Sequence, residues 1–467
     1  MSDYYLAIVD ADKIQEYVFG PHQLKLIRGG SAVQRELNHT LLLRAFVKDN
    51  YGAGNLDGDL QIVEQPLEGF PTHLWEVIYA GGGNVVALFR DGGAARRYCA
   101  DAERLFRSRT GCASATTTVA AWTQNWATTL SRAQSLVQSR KAARSLPEFS
   151  CGAPYWRTCD FCGLAPAAHR RRDPEGGEDF GCVACELRRA NGQRPPYLKE
   201  IRGDLKPPRD FEALAALSKP ENYLALTYID VDGLSRFLQE KGAASPSSYR
   251  AWSNTVRHTV ENGVLTACGL LSACLEPDAT APFEILLLGG DDAIVMLPAH
   301  QVFRFLDAFT RNFTIAGLSF SVGVVWAHHH FPISQFLELA KELLRSAKRE
   351  PGNRVDYLVV TEAMTAGVKA RDPRRTRKPY VMNEFLEMRE RLSVWRQQQF
   401  PSNKVRALYR IAFEEREQAT LDYCFLLSRL SEKHRGLLIN QFAGGFWDRL
   451  ERTGAADVAE LWDFVEA

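Results

Sequence analysis

The tetrapeptide Gly289-Gly290-Asp291-Asp292 sets two carboxylates beside two glycines, between the apolar runs Ile285-Leu286-Leu287-Leu288 and Ala293-Ile294-Val295-Met296-Leu297. Strand, glycine turn, strand is the pattern of a β-hairpin. A third carboxylate, Asp230, ends the run Leu226-Thr227-Tyr228-Ile229, which can lie beside that hairpin. Three carboxylates offer hard oxygen ligands to Mg²⁺ or Mn²⁺, with phosphates and waters completing the shell. Without a cation, two such charges about 4 Å apart repel by roughly 4 kcal/mol at an effective dielectric near 20. Two metals about 4 Å apart would activate a 3′-hydroxyl and steady a leaving pyrophosphate during in-line attack on an α-phosphate. Asp230, Asp291 and Asp292 are therefore the expected catalytic and metal-binding residues. Gly289 and Gly290 permit positive φ and let a triphosphate approach the backbone closely.

Gly-Gly-Asp-Asp is also good chemistry for a plain turn. What favours the metal reading is an internal repeat. The segment Leu6-Ala7-Ile8-Val9-Asp10-Ala11-Asp12-Lys13-Ile14 resembles Leu226-Thr227-Tyr228-Ile229-Asp230-Val231-Asp232-Gly233-Leu234, each an apolar run ending in Asp-x-Asp before a helical pattern. In the second of these helices Leu234, Phe237 and Leu238 share a face. Trp75 to Val86 aligns without gaps on Phe283 to Ile294, which sets Gly81-Gly82-Gly83-Asn84 against Gly289-Gly290-Asp291-Asp292. A weaker third match pairs Ala115–Val119 with Phe320–Val324, each strand followed by a helix ending in a lysine, Lys141 or Lys348. The order is the same in both copies, and the Asp-to-Gly separations are 71 and 59 residues. A fold that needed the acids for stability would not dispense with them in one copy.

The repeat divides the chain into four parts: a first α/β unit over 1–148, a cysteine-containing insert over 149–219, a second α/β unit over 220–366, and a tail over 367–467. The tail opens with a basic, proline-containing stretch and continues as helices, with Val381, Phe385, Met388 and Leu392 on one apolar face and Leu421, Phe425, Leu426 and Leu430 on another. In the insert, Cys159-x-x-Cys162 and Cys182-x-x-Cys185 stand 19 residues apart, the spacing of a Cys₄ zinc site. Four thiolates close a tetrahedral shell and leave no position for substrate, so this Zn²⁺ is expected to be structural. His169 and Cys151 are nearby but unnecessary as ligands. The polar stretch between the pairs has too little apolar content for a core and is expected to fold only with metal.

Weaker signals remain. Arg28-Gly29-Gly30-Ser31 precedes a helical run; Gly30 and Ser31 could offer backbone N–H groups to a phosphate, or Ser31 could be a helix N-cap. Lys348 could meet a triphosphate, although lysine is common at helix C-termini for dipole reasons. In His328-His329-His330 strand alternation would let at most two rings share an ion. The run Arg371, Arg374, Arg375, Arg377, Lys378 reads as a solvated linker rather than an RNA contact.

At this point the chain resembles the palm-domain large subunit of type III CRISPR effector complexes, the CRISPR polymerase family. The carriers are Asp10 to Gln15 with Arg28 to Ser31 in the first unit, Asp230 and Gly289 to Asp292 in the second, and Ser321-Val322-Gly323-Val324 with the helix ending Ala347-Lys348. The resemblance implies an α/β (α+β) fold of two ferredoxin-like palms with nucleotides between them, a zinc-binding insert and a C-terminal helical domain. It implies synthesis of cyclic oligoadenylate from ATP in antiviral defence, with partners among other effector subunits and guide or target RNA. Carried over by position, Asp230 and Asp291 ligate metal, Asp292 supports them, the Val231 carbonyl assists, and the first palm, with Gly83-Asn84, binds a nucleotide without metal. Many relatives open with an HD nuclease domain; this sequence starts at the first palm and has no His-Asp dipeptide, so that activity is not expected. A GTP-using enzyme of the GGDEF diguanylate-cyclase type and a non-catalytic scaffold subunit are the alternatives.

Composition sets the outer bounds. With 467 residues, 45% hydrophobic and 24% charged, the chain is that of a globular protein of two to four domains. A formal net charge of +1 gives no global drive toward nucleic acid or membrane, so any such surface must be local. There is no apolar run of 18 residues and no signal-peptide pattern at the N-terminus. Two C-x-x-C pairs and six scattered cysteines fit a reduced, cytoplasmic protein better than a disulfide scaffold.

Overall fold

The computed structural model describes residues 4–48, 51–123, 125–143, 157–172, 177–193, 195–360, 375–442, 445–448 and 452–466. The first α/β unit runs β1 (Tyr5–Ala11), α1 (Ile14–Phe19), α2 (Leu24–Glu36), a π-helical turn (Leu37–Leu41), α3 (Leu42–Lys48), β2 (Trp75–Gly81), β3 (Asn84–Phe89), α4 (Gly92–Thr110), β4 (Ala115–Ala121) and α5 (Trp126–Ala143). Its sheet has the order β2-β3-β1-β4, antiparallel throughout. The cysteine segment follows: β5 (His169–Arg172), β6 (Glu178–Gly181), α6 (Val183–Asn191), α7 (Leu198–Arg202) and α8 (Phe211–Ala215).

The second unit repeats the first: β7 (Tyr223–Asp232), α9 (Leu234–Lys241), α10 (Pro246–Ser272), β8 (Glu284–Gly289), β9 (Asp292–Pro298), α11 (Val302–Asn312), β10 (Ser319–His328), α12 (Ile333–Ala347) and β11 (Arg354–Val359). The order β8-β9-β7-β10 is the first sheet's order again, extended by β11 and then β12 (Tyr380–Val381). This is the ferredoxin-like βαββαβ plan twice over. The tail holds α13 (Met382–Gln397), α14 (Ser402–Ile411), α15 (Arg416–Ser428), α16 (Glu432–Gln441) and α17 (Ala455–Leu461).

The two units share one core. Leu26's neighbours on α2 (Leu24, Ile27, Val33) pack in the same cluster as Leu286, Leu287, Ile294 and Met296 of the second sheet. Two buried ion pairs bind the units reciprocally. Arg28 on α2 reaches Glu284 on β8 (Nε–Oε1 2.8 Å, Nη2–Oε2 2.6 Å) and also donates to the Pro208 carbonyl at 2.9 Å. Arg250 on α10 bonds Glu76 on β2 and donates to the Val77 carbonyl at 3.1 Å. Glu76 and Glu284 are equivalent in the repeat, so each unit's second helix grips the other unit's hairpin strand.

Several expectations change here. Arg28-Gly29-Gly30-Ser31 lies inside α2, not before a helix. Its glycines serve packing: a Cβ on Gly29 would stand 1.8 Å from the Arg188 carbonyl oxygen of α6, and one on Gly30 3.3 Å from the Val18 Cα. Gly30 therefore offers no free N–H to a phosphate, and Ser31 is not an N-cap. Phe385, Met388 and Leu392 are buried as a face of α13, but Val381 belongs to strand β12 and is partly exposed. On α15 the buried side is Ala419, Tyr423 and Leu426, while Leu421 and Phe425 are 65% and 60% exposed. Arg371 and Arg374 lie outside the described residues. Lys378 is buried against Asp457 and Glu460, 3.6 and 2.5 Å away, and Arg377 N–H bonds Asp457, so this end of the basic run is an internal tie and not a solvated linker. Among the described residues no helix is long and apolar enough to cross a membrane.

Candidate functional site

The two glycine hairpins meet. Gly82–Gly83 and Gly290–Asp291 are two-residue turns closed by the pairs Gly81↔Asn84 and Gly289↔Asp292. A Cβ on Gly82 would lie 3.1 Å from the Gly290 Cα, and one on Gly290 3.3 Å from the Gly82 Cα. The turns thus touch backbone to backbone. Gly82 and Gly83 have φ of 56° and 88°, whereas in the second turn Gly290 alone is positive, at 70°. A turn with positive φ only at its first central residue accepts an L-residue at the second, which is why Asp291 fits where Gly83 stands.

Strand pairing brings the acids together. Asp230 on β7 is the direct cross-strand partner of Asp292 on β9, and the Val231 N–H donates to the Asp291 carbonyl at 3.1 Å. All three carboxylates are held above their usual range. Burial raises Asp291. Burial, only partly offset by the Lys348 ammonium, pushes Asp230 up to about 6, with help from Asp291 and Asp232. Burial and the charges of Asp291 and Asp230 push Asp292 up to about 8. Three carboxylates that resist ionising together form a donor set that fits a hard divalent cation.

The surrounding residues follow the repeat, with one-sided losses. Lys348, at the end of α12, contacts Asp230; its counterpart Lys141 contacts Asp10 at 2.8 Å and Asp12 at 3.6 Å. Ser319 and Ser321 donate to Asp232 at 2.9 and 3.1 Å, as Ser114 and Thr116 donate to Asp12 at 2.8 Å each. Tyr228 OH donates to Asp292 at 3.3 Å and itself receives a bond from Gln15 of the other palm. The equivalent of Tyr228 is Ile8, so the first palm lacks this support along with the acids. Tyr228, Gln15 and Asp232 were not among the expected site residues. Their signal was the aligned Asp-x-Asp strand, in which a lone tyrosine faces an isoleucine.

A cavity opens on each side of the touching turns. One, of about 380 Å³, is lined by Asp291, Asp292, Gly289 and Lys341 of the second palm and by Ser31, Gln34, Asn38 and His39 of the first. The other, of about 460 Å³, is lined by Asp10, Asn84, Gln134 and Gln138 of the first palm and by Leu234, Ser253, Val256 and again Asp291 of the second. Ser31 thus contributes its side chain where its backbone does not, while Gly30 lines neither cavity.

In the insert, Cys159, Cys162, Cys182 and Cys185 bring their sulfurs within 4.8 Å of one another, Cys162 and Cys182 being 3.9 Å apart. A tetrahedron of Zn–S bonds near 2.3 Å needs sulfurs about 3.8 Å apart, so the four fit Zn²⁺. His169 sits exposed on β5, and Cys151 lies outside the described residues. The three histidines differ from expectation: the chain turns after His328, so alternation lapses and all three rings gather, tilted to one another with centroids 4.0–5.1 Å apart and one nitrogen of each within 4.8 Å of the others. They sit at the Tyr223 end of β7, opposite the Asp232 end, and have no part in the acidic site.

A family model described as Cas10/Cmr2, second palm domain, matches residues 223–356. No curated protein matches the chain. Among solved structures, a chain of a Csm1-Csm4 cassette in complex with cA4 superposes with a TM-score of 0.61 at 14% identity, covering 98% of this chain and 69% of that one. A cassette in complex with AMPPNP gives 0.60 at 16% identity, covering 99% and 69%. The Csm1-Csm4 subcomplex of the type III-A CRISPR-Csm interference complex gives 0.58 at 15% identity, covering 98% and 69%. At these identities the likeness is one of fold.

Proposed function

We propose that this chain, which has the fold of a Cas10-type palm subunit with a Cas10/Cmr2 second palm at residues 223–356, is a nucleotidyltransferase that joins ATP into cyclic oligoadenylate. The observation that carries the reading is the asymmetry about the touching turns: Asp291 faces both cavities and Asp292 lines one of them, with Asp230 paired beside it, while the first unit's turn supplies no carboxylate to either. Asp230, Asp291 and Asp292 would hold Mg²⁺ or Mn²⁺, which when bound activates a 3′-hydroxyl and neutralises charge on the leaving pyrophosphate. Tyr228, fixed by Gln15, orients the Asp292 carboxylate. Lys348 neutralises Asp230, and Lys341 offers a second cation at the acidic cavity for a triphosphate. The first palm keeps the turn and the Lys141–Asp10 pair and positions the second nucleotide.

In this reading residues 1–148 are the degenerate palm, 149–219 a zinc-stabilised insert, 220–366 the metal-bearing palm and 367–467 the linker and helical domain. Matches to chains of Csm1-Csm4 cassettes favour a companion effector subunit. The test is incubation of the purified chain with ATP or GTP and Mg²⁺ or Mn²⁺, with and without companion subunits and target RNA, followed by mass analysis of products. Cyclic adenylate lost in Asp291→Ala/Asp292→Ala supports the proposal. GTP-selective turnover points to a diguanylate-cyclase-like enzyme, and absence of pyrophosphate release in every condition overturns catalysis.

A further inference from the structure

The reciprocal ion pairs fix how the two palms correspond along their second helices, α2 and α10. Since Arg28 and Arg250 are equivalent, so are Ser31 and Ser253, Gln34 and Val256, and Asn38 and Val260. The serines are kept, and each lines a cavity. The other two positions diverge. On the acidic side stand two carboxamides, Gln34 and Asn38, only 5% and 4% exposed. At the equivalent positions stand two valines, 1% and 0% exposed, of which Val256 lines the opposite cavity.

Gln34 Nε2 and Asn38 Oδ1 have no hydrogen-bond partner among the described residues. Buried polar atoms are normally satisfied, and leaving them unmatched is unfavourable. Both side chains line the cavity that ends at Asp291 and Asp292. Asn38 lies in the π-helical turn Leu37–Leu41, a distortion that recurs at functional sites. Two carboxamides one helical turn apart, each with one unmatched buried atom, line the same cavity as Asp291, Asp292 and Lys341 and have the chemistry of a nucleobase reader. A carboxamide presents a donor and an acceptor side by side, which matches the amino group and adjacent ring nitrogen of adenine.

We infer that Gln34 and Asn38 read the base edge of the nucleotide bound beside Asp292, and that the opposite cavity, with Val256 in the place of Gln34, tolerates a base lacking that edge. Selection of the base is therefore one-sided, carried by residues of the palm whose glycine turn has no acids. This inference rests on the proposed nucleotidyltransferase reading and names its specificity determinants.

The test is equilibrium binding to the full chain with Ca²⁺ in place of Mg²⁺, comparing ATP with purine riboside 5′-triphosphate, which lacks the 6-amino group. In the unaltered chain one of two sites is expected to prefer ATP by about tenfold or more. In Gln34→Met/Asn38→Leu that preference disappears while the second site is unchanged. Both replacements keep volume and remove unmatched polar atoms, so the melting temperature of the ligand-free protein is expected to hold or rise. Should the double variant be insoluble, Gln34→Met alone is expected to cut the preference severalfold. Undiminished preference in the variants, or no preference at either site in the unaltered chain, overturns the inference. Failure of the unaltered chain to bind ATP at all overturns the parent reading instead.

Discussion

Replacing Arg28 with methionine tests the lock between the palms. Arg28 and Glu284 are 4% and 1% exposed, and two N–H···O bonds join them. The substitution keeps most of the side-chain volume but strands a buried carboxylate and removes a donor from the Pro208 carbonyl. Removing one partner of a buried pair costs about 3–5 kcal/mol, a drop of roughly 10² to 10⁴ in the folded-to-unfolded ratio. Burial already raises the Glu284 carboxyl against the opposing pull of Arg28. Without Arg28 its folded pKa climbs further above the unfolded value, so the variant's stability is greatest at low pH and is lost as pH rises. Urea denaturation at pH 5 and pH 7 is expected to show a deficit that grows with pH. Adding Glu284→Leu removes the stranded charge and should restore stability to within about 1 kcal/mol of the original. A cost below about 1 kcal/mol for Arg28→Met at pH 7, or a double variant as unstable as the sum of the singles, would refute this reasoning. Arg250→Met, at the equivalent buried pair with Glu76, should cost a similar amount at pH 7.

Three further expectations concern the turns and the cysteines. Asp292 has its pKa pushed up to about 8 from 3.8, so it takes up a proton on folding and metal-free stability falls as pH rises between about 4 and 8. Asp292→Asn should abolish turnover yet stabilise the metal-free protein at pH 7 by up to about 4 kcal/mol, read by thermal melting in chelator. Gly83→Asp/Asn84→Asp should not create a second metal centre, because at Gly83 φ is 88° and a Cβ would lie 2.3 Å from Ile14 Cδ1. That variant is expected to melt lower and to bind no more Mn²⁺ by titration than the parent. Cys182→Ser should reduce bound zinc from about one atom per chain, measured by elemental analysis, and lower the melting temperature, because α6 carries Cys185 and packs against Gly29 of α2.

The hairpins and the Asp230 strand were legible in the sequence because each is a local pattern, and the repeat showed which copy had lost its acids. Both two-residue turns stand where Gly81 and Gly289 placed them. What lay beyond reach was set by distant partners. Nothing near Arg28 in the chain announces Glu284, which is 256 residues away, and Gly29-Gly30 resembles a loop because its packing partner, Arg188, lies in another segment. Tyr228 looked like an ordinary strand residue, since its role comes from Gln15 on the opposite palm. On α15 the periodicity could not choose between Leu421 and Tyr423 as the buried side. His328-His329-His330 escaped strand alternation because β10 ends at the first of them.

The contact between Gly82 and Gly290 has a consequence for ligands. The partition between the two cavities is only two main chains thick, and no rotamer change can thin or thicken it. The interval between two bound molecules is therefore a constant of the backbone, like the gap of a fixed gauge. A methyl group on either glycine would crowd the facing main chain, at 3.1 or 3.3 Å, and shift that wall by a few tenths of an ångström, so small substitutions there would act on both occupants at once.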